Sequence, residues 1–374
     1  MRASELSSLP LVPAWLSGTG AERDVVIASR ARLARNLADE PYPAADAEGG
    51  ADGSPSQAAG LVASAVRSEL TPDPFDAESL ELDARVLSGA ARQLLAERAI
   101  CDGPRPERLV ITADEGLAIV IGGIDHLRIA SVLPGFVVGE TLSRVRRVDR
   151  QLERGLNYAV SMDWGYLASE ITNLGTGLRV SVLVHVPALA ALGRLETMGS
   201  SMENSGYELT PYFADESLAG AGGNAGAEGD TGRETTGSAL CLLRNRRTLG
   251  SDEDAITSKL EDYATKLVHY ERAAREELRE ARGEEIADSA NRALGVLRFA
   301  RSLSAVEARS LVSHLRFGVV AGLVSDVAVE TVTTLLLINQ DRHIERHRAG
   351  EGERDDTDLV RARVFRDMLV ASQA

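Results

Sequence analysis

Four short runs rich in β-branched residues crowd the middle of the chain: "RLVIT" (108–112), "LAIVI" (117–121), "HLRIASVL" (126–133) and "LRVSVLVHV" (178–186). Turn residues separate them, which is the pattern of strands and not of buried helices. The Gly122–Gly123 pair between the second and third runs suits a hairpin, so antiparallel neighbours in one sheet are expected. From about Asp254 the period changes. Ile256, Leu260, Tyr263, Leu267 and Tyr270 recur at 4-3-4-3 spacing, a single apolar stripe along a helix. Ser304 followed by Glu307 is a capping-box pair that opens a further helix through Leu311, Leu315 and Val319. Strands first and helices afterwards imply an α+β fold: an antiparallel sheet flanked by helices over 15–253, then a helical C-terminal domain over 254–374.

The remaining segments are read from local pattern. Asp24–Ile27 is expected as a short strand, with Ser29–Leu37 opening a helix. Residues 43–60 form a small-residue linker, and Leu61–Ala99 has helical spacing through Leu80, Leu82, Val86, Leu87, Leu94 and Leu95. Residues 217–238 are so rich in glycine that an ill-ordered loop is expected.

Composition excludes several classes of function. The 374 residues are 44% hydrophobic and 26% charged, a globular balance. A net charge of −15 argues against direct nucleic-acid binding, which requires clustered cations to displace counterions. Two distant cysteines, Cys101 and Cys241, cannot build a disulfide framework or a cysteine zinc site. The opening residues lack the charged start and apolar run of a signal peptide. No stretch reaches the roughly 18 apolar residues of a spanning helix. A cytoplasmic protein without a membrane partner is expected.

Three blocks carry more specific information: "ASRARLARN" (28–36), "DHLRIASVLPGF" (125–136) and "DWGYLASEITNLGTGLRVSVLVHVPAL" (163–189). With "RNRRTLGSDEDAI" (244–256) they resemble, in order, the bacterial protein-arginine kinases, which are ATP:guanidino phosphotransferases related to creatine and arginine kinases. The resemblance implies ATP and Mg²⁺ as cofactors and a ring of arginines around the phosphates. Guanidinium suits that task because it stays protonated and meets phosphate oxygens with paired donors. Carried over by motif, the nucleotide-binding positions are Ser29, Arg30, Arg32, Arg128, Arg179, Val180 and Ser181. Gly175 and Gly177 would let the backbone approach the nucleotide, or simply turn ahead of the strand.

The chain departs from the family pattern where catalysis should lie. The Asn-Glu-Glu that precedes "DHLR" is replaced by Gly122, Gly123 and Ile124. The second glutamate of that motif orients the substrate guanidinium and removes its proton, and isoleucine does neither. The family cysteine before "TN" is Glu170, a phosphate-contacting arginine is Thr210, and the adenine-stacking histidine falls on Ala99. By resemblance, one member of the acidic pair that flanks the substrate survives as Asp215 or its neighbour Glu216, and the carboxylate of Glu170 is the remaining catalytic candidate. The C-terminal Arg-Asp-x-x-Arg-Ala motif of the phosphoarginine pocket reads "TDLVRA", keeping Asp358 and Arg361. An exposed amphipathic helix end fits those residues equally well.

His185 is expected as a core histidine, His126 as architectural, and Cys241 as a small buried hydrophobe. No serine sits in a nucleophile-elbow frame. Three functional readings follow: an ATP-dependent phosphotransferase acting on protein arginine, a pseudokinase or adaptor that binds nucleotide or phosphoarginine proteins, and a structural oligomer subunit. By resemblance, partners would include a zinc-binding activator protein and a Clp-type chaperone, with a homodimer as one assembly.

Overall fold

The computed structural model describes every residue except 1–5, 7, 19, 44–55, 71–72, 77, 102–105, 214–236, 349–355 and 373–374. The first half runs α1 (Ala14–Ser17), β1 (Val26–Arg35), α2 (Gln57–Glu69), β2 (Leu80–Asp83), α3 (Gly89–Glu97), β3 (Arg108–Ile111), β4 (Leu117–Ile121), β5 (Leu127–Pro134) and α4 (Val138–Leu152). There follow β6 (Val160–Ser161), β7 (Gly165–Tyr166), a 3-10 turn (Ile171–Asn173), β8 (Leu178–His185), α5 (Pro187–Ala191), α6 (Leu195–Glu203), β9 (Tyr207–Pro211) and β10 (Leu240–Asn245). The tail is α7 (Glu253–Phe299), α8 (Ala305–Val320), α9 (Val329–Ile338), α10 (Asp341–Arg346) and α11 (Thr357–Ala371). Eight strands form one sheet in the order β2-β3-β4-β5-β1-β8-β10-β9, with β6 and β7 pairing separately. The α+β class, the sheet and the helical C-terminal region agree with the expectation.

Two compact units divide the chain. The first comprises 1–18, 28–181 and 244–261; the second comprises 19–27, 182–243 and 262–374. In the first unit, Val138, Leu142, Val145, Val148 and Leu152 line one side of α4 at three- and four-residue spacing and are buried. That side packs on β5. A second core gathers Ala91, Leu94 and Leu95 of α3 with Leu109, Ile111, Ala118 and Val120 of β3 and β4.

The second unit is held by buried polar groups as well as by its helices. Arg316 of α8 is fully buried, and its donors reach the Arg23 and Asp24 carbonyls, Thr333 Oγ1 and His185 Nδ1. His185 Nε2 then donates to Ser313 Oγ at 2.9 Å. Burial and the neighbouring Arg316 hold this imidazole neutral, well below its usual pKa. The core-histidine expectation for His185 is met, and both ring nitrogens have partners. Glu271 of α7 is buried and accepts from the backbone N–H groups of Ala188 and Leu189 at the start of α5.

Several local expectations are corrected. Ser29–Leu37 does not open a helix; it continues the strand begun at Val26. The Arg, Leu and Ala of this segment favour helix intrinsically, but β1 is a central strand with both neighbours paired, and tertiary pairing outweighs propensity. Leu80–Asp83 is an edge strand paired with β3, not helix, and Val86 beyond it is exposed. The 43–60 linker ends early, because Ser56 caps α2 by accepting from Ala59 N. The hairpin at Gly122–Gly123 holds, and both glycines have positive φ. Ser304 caps α8 through Glu307 N as expected. Cys241 is buried on β10. Of the glycine-rich 217–238 segment, all but 237–238 lies outside the described residues.

Candidate functional site

Strand alternation decides which side chains of "ASRARLARN" share a surface. Arg30 and Arg32, two residues apart on β1, point to one face. Their neighbour Ala34 pairs with Arg128 of β5, so Arg128 joins the same face and is almost fully buried there. On the other side of β1, Ala34 N donates to Gly177 O at 3.1 Å. Counting two residues from each end of that bond sets Arg179 beside Arg32. Three strands thus bring four guanidinium groups onto one surface. Arg32 Nη2 reaches Asn173 Oδ1 at 3.4 Å, and Arg179 Nη1 donates to Asn245 O at 3.1 Å. A face that carries four guanidinium groups is chemically suited to an anion rich in oxygens.

The opposite face holds the scaffold. Ser29 is buried there; its hydroxyl donates to Gly135 O (2.8 Å) and accepts from Val137 N (3.0 Å), pinning the turn into α4. Arg35, also buried, pairs with Asp149 of α4 at 2.6 Å and lies over the Tyr166 ring at 3.6 Å. Burial raises the Asp149 carboxyl pKa, and Arg35 partly offsets that shift. Val180 N is engaged by Asn245 Oδ1 at 2.8 Å, whereas half-buried Ser181, two residues from Arg179, returns to the arginine face. Motif order lists Ser29 with the arginines, and strand alternation sets its side chain on the other face.

The hairpin loop contains Ile124, which is half-buried, then Asp125 and His126. Asp125 is fully buried. One carboxylate oxygen accepts from Asn36 Nδ2 (2.8 Å) and Ser169 N (3.1 Å), the other from Asn173 Nδ2 (3.0 Å). Asn173 passes that orientation to Arg32 through its own carbonyl, a relay that no sequence spacing shows. His126 Nδ1 accepts from Leu37 N, so its Nε2–H donates to Pro41 O at 2.9 Å. Burial lowers the imidazole pKa and its role is architectural, as expected.

Among the catalytic candidates, Glu170 is exposed at the start of the 3-10 turn, with Oε2 accepting from Thr172 Oγ1 at 3.3 Å. Asp215 and Glu216 lie outside the described residues. Thr210 is on β9, and Ala99 follows α3 with positive φ. A cavity of about 620 Å³ is lined by Thr112, Asp114, Glu140, Arg144 and Arg147, none of them in the arginine group. In the second unit, Arg361 is fully buried and each of its three nitrogens has an internal partner. It reaches Leu303 O, Asn339 O, Asp341 and, at 2.5 Å, Asp358. Thr357, at the place of the motif's leading arginine, accepts from Arg348 Nη2 at 2.6 Å.

Residues 79–219 match the ATP:guanido phosphotransferase C-terminal catalytic domain. Residues 283–374 match the protein-arginine kinase McsB C-terminal domain, and the match begins just past the non-helical Arg282 within α7. The chain is 31% identical over 361 residues to the protein-arginine kinase of Desulforamulus reducens, covering 95% of each. To that of Halothermothrix orenii it is 28% identical over 368 residues, covering 95% of this chain and 96% of the relative. In three dimensions it is similar to lombricine kinase, with a TM-score of 0.50, 18% identity and 71% of each chain covered, a likeness of fold. The chain belongs to the protein-arginine kinase family of the ATP:guanido phosphotransferases.

Proposed function

We propose that this chain binds ATP on its arginine face and is a protein-arginine kinase whose phosphoryl transfer is impaired at proton removal. The observation that supports it is the grouping of Arg30, Arg32, Arg128 and Arg179 on one face while the hairpin presents Ile124 where a carboxylate is needed. The arginines fit a triphosphate because phosphoryl transfer is driven chiefly by positioning and by spreading the developing charge over fixed cations. Mg²⁺, when bound, would supply positive charge to neutralise the phosphates. Among the described residues no cluster of three His, Cys, Asp or Glu side chains is placed to hold a metal.

The nucleophile would be an arginine side chain of a client protein, which must lose a proton to attack. Asp125 is spent on Asn36, Asn173 and Ser169, leaving Glu170 and the pair Asp215–Glu216 as the groups that would have to serve. Ile124 also favours a second reading, a non-catalytic adaptor that keeps nucleotide or phosphoarginine bound. The phosphoarginine half of that reading requires Arg361 to release Asp358 and Asp341. In either case 15–253 carries the phosphate chemistry and 254–374 the helical interaction surface. The family further suggests a zinc-binding activator, a Clp-type chaperone and a homodimer. No helix among the described residues is long and apolar enough to cross a membrane.

The test is incubation with ATP, Mg²⁺ and an arginine-rich protein, scored for acid-labile phosphate and, separately, for thermal stabilisation by ATP. Weak label that disappears with Arg128→Gln supports the impaired kinase. Stabilisation without label supports the adaptor. Neither stabilisation nor label rejects both.

A further inference from the structure

The loop region beside the arginine face exposes four large apolar side chains on segments that are tied together. Ile171 is 81% exposed, Trp164 53%, Leu249 41%, and Met162 is fully exposed. Backbone contacts tie these segments together. Tyr166 N and Gly175 O bond at 2.7 Å, bringing the β6–β7 hairpin that bears Met162 and Trp164 against Gly175. Gly175 in turn packs on Leu249: a Cβ there would lie 2.9 Å from Leu249 Cα. Thr248 Oγ1 donates to the Thr172 and Leu174 carbonyls at 3.1 and 2.6 Å, fixing Leu249 beside the 3-10 turn that bears Ile171. The same turn ends at Asn173, which holds Arg32. Exposed carboxylates interleave with the apolar side chains, Asp163 between Met162 and Trp164, and Glu170 before Ile171. Exposed Arg246 and Arg247 precede Thr248 at the other margin.

We infer that Met162, Trp164, Ile171 and Leu249 form the docking surface for the client polypeptide, which is an extended segment with an arginine flanked by apolar residues. The proposal rests on the nucleotide reading of the adjacent arginine face. Clusters of exposed large hydrophobics mark interaction sites, and the two carboxylates select a cationic partner. The apolar flanks fill the patch, while the arginine meets Glu170 and Asp163 at the edge of the phosphate face.

Trp164 is a built-in reporter, since the only other tryptophan, Trp15, is buried. The full chain is titrated with a twelve-residue peptide carrying one arginine between leucine and phenylalanine, and indole emission is followed. A saturable blue shift is expected. Affinity should fall about tenfold or more when the arginine is replaced by lysine, when both flanks are serine, or in the Met162→Ser/Ile171→Ser variant. Trp164→Phe should abolish the signal. Equal affinity for the serine-flanked peptide, or unaltered binding by the double variant, overturns the proposal. Thermal stabilisation by ATP is read in parallel. A peptide response without it supports the docking surface and sinks the nucleotide reading, whereas ATP stabilisation without a peptide response sinks the docking surface alone.

Discussion

Ile124 and Glu271 are single side chains whose chemistry makes sharp predictions. Restoring the carboxylate with Ile124→Glu should raise acid-labile phosphate transfer by about 10²- to 10⁴-fold, the ordinary worth of a positioned general base. No gain would place the barrier elsewhere. Glu271 makes a prediction about pH. Burial pushes its carboxyl up to about 7, although the amides of Ala188 and Leu189 and the charges of Arg275 and Arg316 pull the other way. Because the folded pKa lies above the unfolded value of 4.5, the folded protein holds the extra proton between them. This contribution is fully present below about pH 4.5 and is lost as pH rises through about 7, a difference of roughly 3 kcal/mol from this group. Urea melts at pH 5 and pH 8 should show that slope, flattened in Glu271→Gln. At this scale the sequence revealed the arginines, because motif order names them. It did not reveal Arg35, the hydrogen bonds of the Ser29 hydroxyl or the Asp125–Asn173–Arg32 relay, because those depend on which face of a strand each residue takes.

β1 and β8 show why elements were only partly legible. The short strands at 108–133 were readable because turn residues and β-branched runs agree with their pairing. β1 was not, since its local propensity is helical and only its neighbours β5 and β8 make it a strand. The contact between β1 and β8 depends on Gly177. Its φ is +65°, and a Cβ would stand 2.5 Å from Ala34 O. Gly177→Ala should therefore destabilise by roughly 2 kcal/mol or more, combining left-handed strain with a backbone clash. Gly250, also at positive φ but in open space, is the control: Gly250→Ala should cost only about 1 kcal/mol. Equal losses in denaturant melts would show that strain alone acts at Gly177. Displacing β8 should also loosen Arg179, so ATP stabilisation should fall in the first variant and hold in the second.

For the whole molecule, chain order and compact structure do not coincide, and period alone could not announce it. The change from strand to helix period near 253 is visible in sequence, yet the second unit draws on 19–27 and 182–243 as well as 262–374. Within that unit the early segment is packed on the late one. His185 is bonded to Ser313 and Arg316, the amides of Ala188 and Leu189 to Glu271, and Tyr207 packs against Tyr263 with ring centroids 5.4 Å apart. A chain ending at residue 253 would leave those amides and His185 without the groups that satisfy them, at a cost of about 1–3 kcal/mol for each buried polar group. It would also strip the apolar cover from α5 and β9. Fragment 1–253 is therefore expected to lack a cooperative thermal transition over residues 182–243, to exchange the amides of Val182–Val186 within minutes, and to bind a hydrophobic dye. A sharp melt with those amides protected as in the full chain would mean that this region folds without the helical tail.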